Sequence, residues 1–337
     1  LKPQILKTFR SLLFLAFALF LLYLAFRDID TEGVWNDLRH ARYGWLALLL
    51  PLGLLSHLFR AWRWKLLIRP LGYDPPLSHT FYAVMSGYLA NLALPRLGEV
   101  ARCGSLTRTD RIPFDKLIGT VITERIVDML ILMLLTLLTF LIKIQFFGAF
   151  FRDQIFTPLG KRISSLVEGP HPWVWAALLL FLAATAYLLW YFRHMTLFRR
   201  MRDFLRGILQ GMHTILRMEH PGLFLLSSLL IWGMYYLTAW LVVYTLPGTS
   251  SLTAVDGLFL LVVGSFGMVV PVQGGLGAYH LIVSTALTLY GIPRETGLAL
   301  ATIAHESQTL LILVVGAFSM MMVVMIKRRE PPLPDTQ

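Results

Sequence analysis

Three groups of polar residues stand out in an apolar chain, and their types limit the chemistry open to them. Glu124, Arg125 and Asp128 lie inside a long hydrophobic run. A charge at the centre of a membrane helix costs roughly 2.5–3.5 kcal/mol on insertion scales, so three together must face water or one another. Glu124 and Asp128 are one helical turn apart, and Arg125 and Asp128 are spaced to pair. One reading is an architectural ion pair that locks this helix to the preceding segment. The other makes Arg125 a ligand for a headgroup phosphate and the two acids a cation or proton site. Arg96, Glu99 and Arg102 form the second group, just after Pro95. The planar guanidinium suits phosphate oxygens, and a helix beginning near Gly98 adds the positive end of its dipole. A helix lying on the membrane surface explains these arginines equally well. The third group is Gly274, Gly275 and Gly277 followed by His280, with His305 and Glu306 further on. The glycines permit positive φ and close backbone approach, but no Lys-Ser/Thr follows, so this is not a P-loop. His280, His305 and Glu306 suit proton coupling or plain hydrogen-bonded packing. Metal ligation is not expected, because neighbouring residues on a helix project about 100° apart.

These residues sit in an unusual solvent. The chain of 337 residues is 56% hydrophobic and 15% charged, with mean hydropathy +0.66; a soluble domain carries about 25% charged residues. Uncharged stretches occur at 12–26, 173–192 and 223–255. About 20 apolar residues cross a hydrocarbon core about 30 Å thick. In lipid the backbone must satisfy its own hydrogen bonds, so such stretches are helices, and the alternation of barrel strands is absent. The expected fold is therefore an all-α polytopic membrane protein. The net charge of +11 falls in short clusters beside apolar segments, as the positive-inside rule requires, and not as a nucleic-acid footprint. The single cysteine, Cys103, excludes an intrachain disulfide.

The charge clusters orient the chain. Lys2, Lys7 and Arg10 precede an apolar run with no small-residue cleavage site, which reads as a retained first helix at about 9–26 with a cytoplasmic N-terminus. The acidic stretch 27–42 suits the outside. A second helix at about 44–60 returns to Arg60, Arg63, Lys65 and Arg69, which with Trp62 and Trp64 read as an inner-interface belt of snorkelling cations. Residues 79–112 break at Pro95 and read as a re-entrant hairpin. A helix at about 114–142 leads out to an external loop, 143–172, and one at 173–192 leads back. The basic stretch 193–221, with Arg193, Arg199, Arg200, Arg202, Arg206 and Arg217, reads as a cytoplasmic amphipathic segment. A helix at 222–246 goes out, a second broken segment spans 254–291, and a helix at 296–325 ends at Lys327, Arg328 and Arg329 before a cytoplasmic tail, 327–337. This makes about six spanning helices and two re-entrant hairpins.

The two membrane regions, 1–142 and 173–326, share a layout of two helices, a broken segment and one long helix. Asn91-Leu-Ala-Leu-Pro95-Arg-Leu-Gly98 and Gly267-Met-Val-Val-Pro271-Val-Gln-Gly274 both place three apolar residues before Pro-x-x-Gly. The first region starts inside and the second outside, so the repeat is inverted, an architecture of secondary transporters. Pro and Gly that merely kink helices are the alternative.

Taken together, Arg60-Ala-Trp62-Arg63-Trp64, the run from Asn91 to Arg102, Glu124-Arg125-Ile-Val-Asp128 and the run from Pro271 to Gly277 resemble the lysylphosphatidylglycerol synthase transmembrane-domain family, also called flippase-like or UPF0104. The resemblance covers essentially the whole chain. It implies a module of about eight helices in the bacterial inner membrane, linked to lipid movement between leaflets. No soluble aminoacyl-transferase domain follows residue 330, so lipid lysylation by this chain is not expected. Where many members have Glu-Ala after the glycine turn and Tyr-Arg in the last helix, this chain has Tyr279-His280 and His305-Glu306.

The reading that follows is a lipid flippase or transporter with membrane lipid as its partner, no cofactor and no nucleic acid; a homo-oligomer is left open. Arg96, Arg102 and Arg125, with Gly98, Gly274, Gly275 and Gly277, would hold the headgroup. Glu99, Glu124, Asp128, His280, His305 and Glu306 would balance charge or couple ions. An enzyme acting on a lipid-linked substrate needs a catalytic set, and no HExxH or GxSxG occurs. A scaffold for a cytoplasmic synthase would use the 199–217 face.

Overall fold

In the computed structural model the residues described are 16, 19–25, 29–146, 157, 179–180, 183, 187 and 220–326. The chain divides into two compact units, residues 1–135 with 218–337, and residues 136–217. The expected loop 143–172, the helix 173–192, the amphipathic stretch 193–221 and the tail 327–337 lie outside the described residues almost entirely.

Every regular element among the described residues is helical. In order these are α1 (Thr31–Arg39), α2 (Leu46–Ile68), α3 (Leu77–Ala93), α4 (Leu97–Asp110), α5 (Phe114–Ile142), α6 (Pro221–Leu241), α7 (Ala254–Val269), α8 (Ala278–Thr288) and α9 (Arg294–Met325). Residues 19–25 are also helical. Among the described residues four helices are long and apolar enough to cross a membrane: Tyr43–Leu71, Phe114–Ile142, Pro221–Thr245 and Arg294–Met325. Their outward faces carry large apolar side chains such as Leu229, Leu310 and Val314, each at least 60% exposed. Soluble monomers rarely expose such continuous apolar surface; lipid is the solvent that matches it.

The second expected helix ends later than its charges indicate. Instead of stopping near Arg60, α2 runs to Ile68 and carries Arg60 and Arg63 into the protein, where both are buried. The inner-interface reading of these two arginines is therefore wrong. They face carboxylates on α5, which the sequence does not place opposite them. At the end of the helix Arg69 and Lys65 hydrogen-bond Asp74 and hold its carboxyl below the usual range.

Both interrupted segments fold back. His79, near the start of α3, meets Asp110 at the end of α4 at 2.9 Å. A chain that crossed the bilayer through α3 and α4 would hold these residues on opposite sides. Likewise Phe259, early in α7, and Tyr290, just after α8, are in contact, with tilted rings and centroids 5.4 Å apart. The arms have 11–17 residues, or about 17–25 Å at about 1.5 Å per residue, enough to carry each break into the hydrocarbon layer.

Each hairpin closes on glycine. A Cβ on Gly98 would collide with the Gly87 carbonyl, and one on Gly267 would lie 2.8 Å from Tyr279 Cα. The turns differ. The first uses Pro95 and then Arg96 at φ 65°; the second takes positive φ at Gly274, Gly275 and Gly277. The two breaks adjoin, since a Cβ on Gly274 would lie 2.8 Å from Leu92 of α3.

The helix ends sort into two groups. Arg42 N donates to Thr245 O at 2.7 Å, and Arg294 donates to Leu24 O at 3.0 Å. At the other end Arg108 donates to Val324 O at 3.1 Å. These are the groupings that the alternating charge clusters predict.

Candidate functional site: a polar cavity between two broken hairpins

A buried polar network begins on α2. Arg60 and Arg63 are three residues apart and Glu124 and Asp128 four apart, so each pair lies along one helix face. Arg60 Nη1 donates to Glu124 Oε1 at 2.5 Å and to Asp128 Oδ2 at 2.9 Å. Arg63 Nη2 donates to Asp128 Oδ1 at 2.7 Å and to Glu124 Oε1 at 3.2 Å. Arg102 on α4 completes the set, donating to Glu124 Oε2 at 2.9 Å, and its guanidinium lies 4.7 Å from the Trp64 ring centroid. Two hydroxyls on α6 take further donors: Ser228 from Arg63 and Tyr235 from Arg60. The knot thus ties α2, α4, α5 and α6 together. Three guanidiniums meet two carboxylates, which leaves one positive charge in excess.

Several expected site residues are therefore committed inside the protein. Arg102 and Glu124 are buried in the knot, and Asp128 is nearly so. Glu124 does bond to the first hairpin, through Arg102, as the architectural reading requires. The expected pairing of Arg125 with Asp128 is not made. Asp128 faces α2, and Arg125 turns the other way to donate to Glu99 Oε1 at 3.0 Å. Gly98 is buried, and its N–H donates to Asn91 Oδ1 at 2.7 Å. That amide, the one expected to greet an anion, is thus taken by the side chain that caps the turn.

Beside the knot lies a cavity of about 490 Å³. It is lined by Val270, Pro271, Val272, Gly274 and Gly275 of the second break, with Tyr279, and by the end of α3 with Pro95 and Arg96. Arg60, Arg96, Arg125 and Glu99 bring three positive charges and one negative to its rim. From α2 and α9 it receives His57, His305 and Gln308. Both ring nitrogens of His57 and the Gln308 amide nitrogen have no hydrogen-bond partner among the described residues. A buried polar group without a partner costs about 1–3 kcal/mol, so these groups are matched to water or to a polar guest. Apolar residues such as Leu49, Leu260 and Ile312 line the remainder.

His280, His305 and Glu306 come together, contrary to the divergence expected of neighbours on a helix. His305 and Glu306 do leave α9 in different directions, but both side chains are long enough to bend toward one point. His305 Nδ1 reaches Glu306 Oε1 at 2.9 Å, and His280 arrives from α8 with Nε2 at 3.7 Å from the same oxygen. Gly277 lies beyond the cavity wall and starts α8 at φ 77°. The residues of the knot that the charge pattern misassigned are Arg60 and Arg63. The signal for them was present: two cations at helical spacing, matched by two acids at helical spacing.

Residues 11–316 match the family described as lysylphosphatidylglycerol synthase TM region. The chain belongs to that family. A UPF0104 membrane protein of Methanocaldococcus jannaschii is similar at 28% identity over 129 residues, which is 37% of this chain. The chain spans 38% of that relative's length. No solved structure matches the chain. Membership of this membrane family agrees with the lipid-matched faces of α2, α5, α6 and α9.

Proposed function

We propose that the protein moves a lipid with an anionic headgroup between the leaflets of the bacterial inner membrane, with both termini cytoplasmic and the two membrane regions related as an inverted repeat. The observation that carries this reading is the cavity between the two breaks. It combines a net positive rim, unpartnered polar groups and apolar walls within a protein whose outer faces match lipid. A headgroup phosphate would meet Arg96 and Arg125, the two arginines at the rim that are not bound into the buried knot. The acyl chains would stay in the hydrocarbon layer. Glu99 holds Arg125 at rest and would exchange it with the phosphate. The excess charge of the Arg60–Arg63–Arg102 knot adds a fixed positive field behind the site, which is strong in a medium of low dielectric.

Paired re-entrant hairpins with matched Pro-x-x-Gly breaks support the transporter architecture, in which irregular backbone is affordable only where it lines a polar cavity. The charge clusters support the cytoplasmic placement of the ends. The protein would act as a carrier and not as an enzyme. The test is reconstitution into vesicles of defined composition. Fluorescent phospholipids with anionic headgroups should equilibrate between leaflets faster with the protein than without it, and zwitterionic ones more slowly than anionic. Rates with the protein that equal those of protein-free vesicles for every headgroup would overturn the reading.

A further inference from the structure

Three side chains converge in the second hairpin in a way that headgroup binding does not use. His280 is 2% exposed and His305 7% exposed, and the Glu306 side chain is about half exposed at 47%. The candidate ligand atoms of the three residues all lie within 4.8 Å of one another, and the two imidazole centroids are 5.0 Å apart.

The hydrogen bonding of His305 fixes where its proton sits. Its Nε2 lies 2.8 Å from the carbonyl oxygen of Gly274. A carbonyl only accepts, so Nε2 carries the hydrogen. In the neutral ring that leaves Nδ1 as a lone pair, aimed at Glu306 Oε1 from 2.9 Å. Two lone pairs at that distance repel unless a positive species lies between them. A proton would serve His305 and Glu306 alone. It gives no role to His280, whose Nε2 faces the same carboxylate oxygen at 3.7 Å, too far for a hydrogen bond. A divalent cation engages all three side chains. The Gly274 carbonyl then plays the part usual for a ligand histidine, fixing tautomer and ring orientation through the second nitrogen.

We propose that His280, His305 and Glu306 bind a divalent transition-metal ion of the zinc class, which clips α8 to α9 beside the glycine-rich turn. Two imidazoles and a carboxylate select such ions over magnesium or calcium, which take oxygen ligands. Ligand bonds of about 2.0–2.1 Å set tetrahedral donors roughly 3.3 Å apart. The separations of 2.9 and 3.7 Å straddle that value, and the pair furthest apart needs to close by roughly 1.5 Å at most, a small side-chain rotation. Three protein ligands leave a fourth position for a solvent or guest oxygen.

The site is tested with full-length protein in detergent, free of any polyhistidine tag, stripped by chelator and titrated with Co²⁺. One equivalent per chain should bind with visible d–d absorption, be displaced by Zn²⁺ and be unaffected by Mg²⁺. His280→Gln and Glu306→Gln should each weaken Co²⁺ binding at least tenfold. Glu306 is half exposed, so its variant should keep the metal-free melting temperature and report binding even if the His280 variant fails to fold. Wild-type protein that binds no stoichiometric Co²⁺, or binds it as tightly as Glu306→Gln, would overturn the proposal. A doubly protonated His305 seen by nitrogen NMR in metal-saturating buffer would overturn it in favour of a proton.

Discussion

Arg63 donates to Asp128 Oδ1 at 2.7 Å from a side chain with no exposed surface. The two residues are 65 positions apart in sequence, and each belongs to a pair at helical spacing. Their meeting converts two isolated charge patterns into one buried knot, and it decides which arginines remain available for a ligand.

Removing one side of that knot should be costly. Breaking a buried ion pair by deleting one partner destabilises by about 3–5 kcal/mol. Glu124 accepts from three guanidiniums, so Glu124→Gln should lower the melting temperature in detergent more than Asp128→Asn. Arg125→Ala breaks only a half-exposed bridge to Glu99, for which about 0–1 kcal/mol is expected, and its melting curve should stay near that of the parent protein.

The rim arginines should behave in the opposite way. The double variant Arg96→Ala, Arg125→Ala should retain the parent melting temperature yet lose at least tenfold in the rate of anionic-lipid transfer in vesicles. A variant with unchanged transfer would remove these residues from headgroup binding.

The hairpins depend on glycine at their contacts. Overpacking costs about 1–3 kcal/mol, so Gly98→Ala and Gly267→Ala should both reduce thermal stability, since a methyl would strike the Gly87 carbonyl or the Tyr279 backbone. Gly104 on the same helix as Gly98 has open space around its Cβ position, and Gly104→Ala should be neutral or slightly stabilising. Fluorescence-detected size exclusion after a heating series would rank the three.

Water access separates the cavity from the core. Cys103 is buried, so the parent protein should react with less than about a tenth of an equivalent of a charged maleimide while folded, as expected of an inert buried thiol. His57→Cys and Gln308→Cys each place a thiol at the cavity wall and should label close to one equivalent, as read by intact mass. Labelling at the level of the parent protein would mean that the cavity is dry.

The sequence alone determined the solvent, the class and most of the layout. Apolar run length, charge clusters at the ends of the runs and two Pro-x-x-Gly breaks are local properties, and lipid enforces them locally, because an unpaired backbone group in hydrocarbon has no water to turn to. That is why the helices at 114–142, 222–246 and 296–325 and both hairpins stand where the pattern puts them, and why the family was legible in short motifs. Which charges face each other is not a local property. Arg60 and Arg63 look like interface residues until α5 is packed against α2, and Arg125 looks like the partner of Asp128 until Glu99 is brought across by the first hairpin. Only the tertiary structure sorted the arginines into three that are bound to carboxylates in the interior and two, Arg96 and Arg125, that stand at the cavity outside that knot. It did so because Coulomb energy in a low-dielectric interior depends on distances of a few ångströms between helices remote in sequence. The meeting of His280 with His305 and Glu306 has the same origin: the turn at 289–293 folds α9 back along α8, and which faces then meet is decided by how the two helices pack.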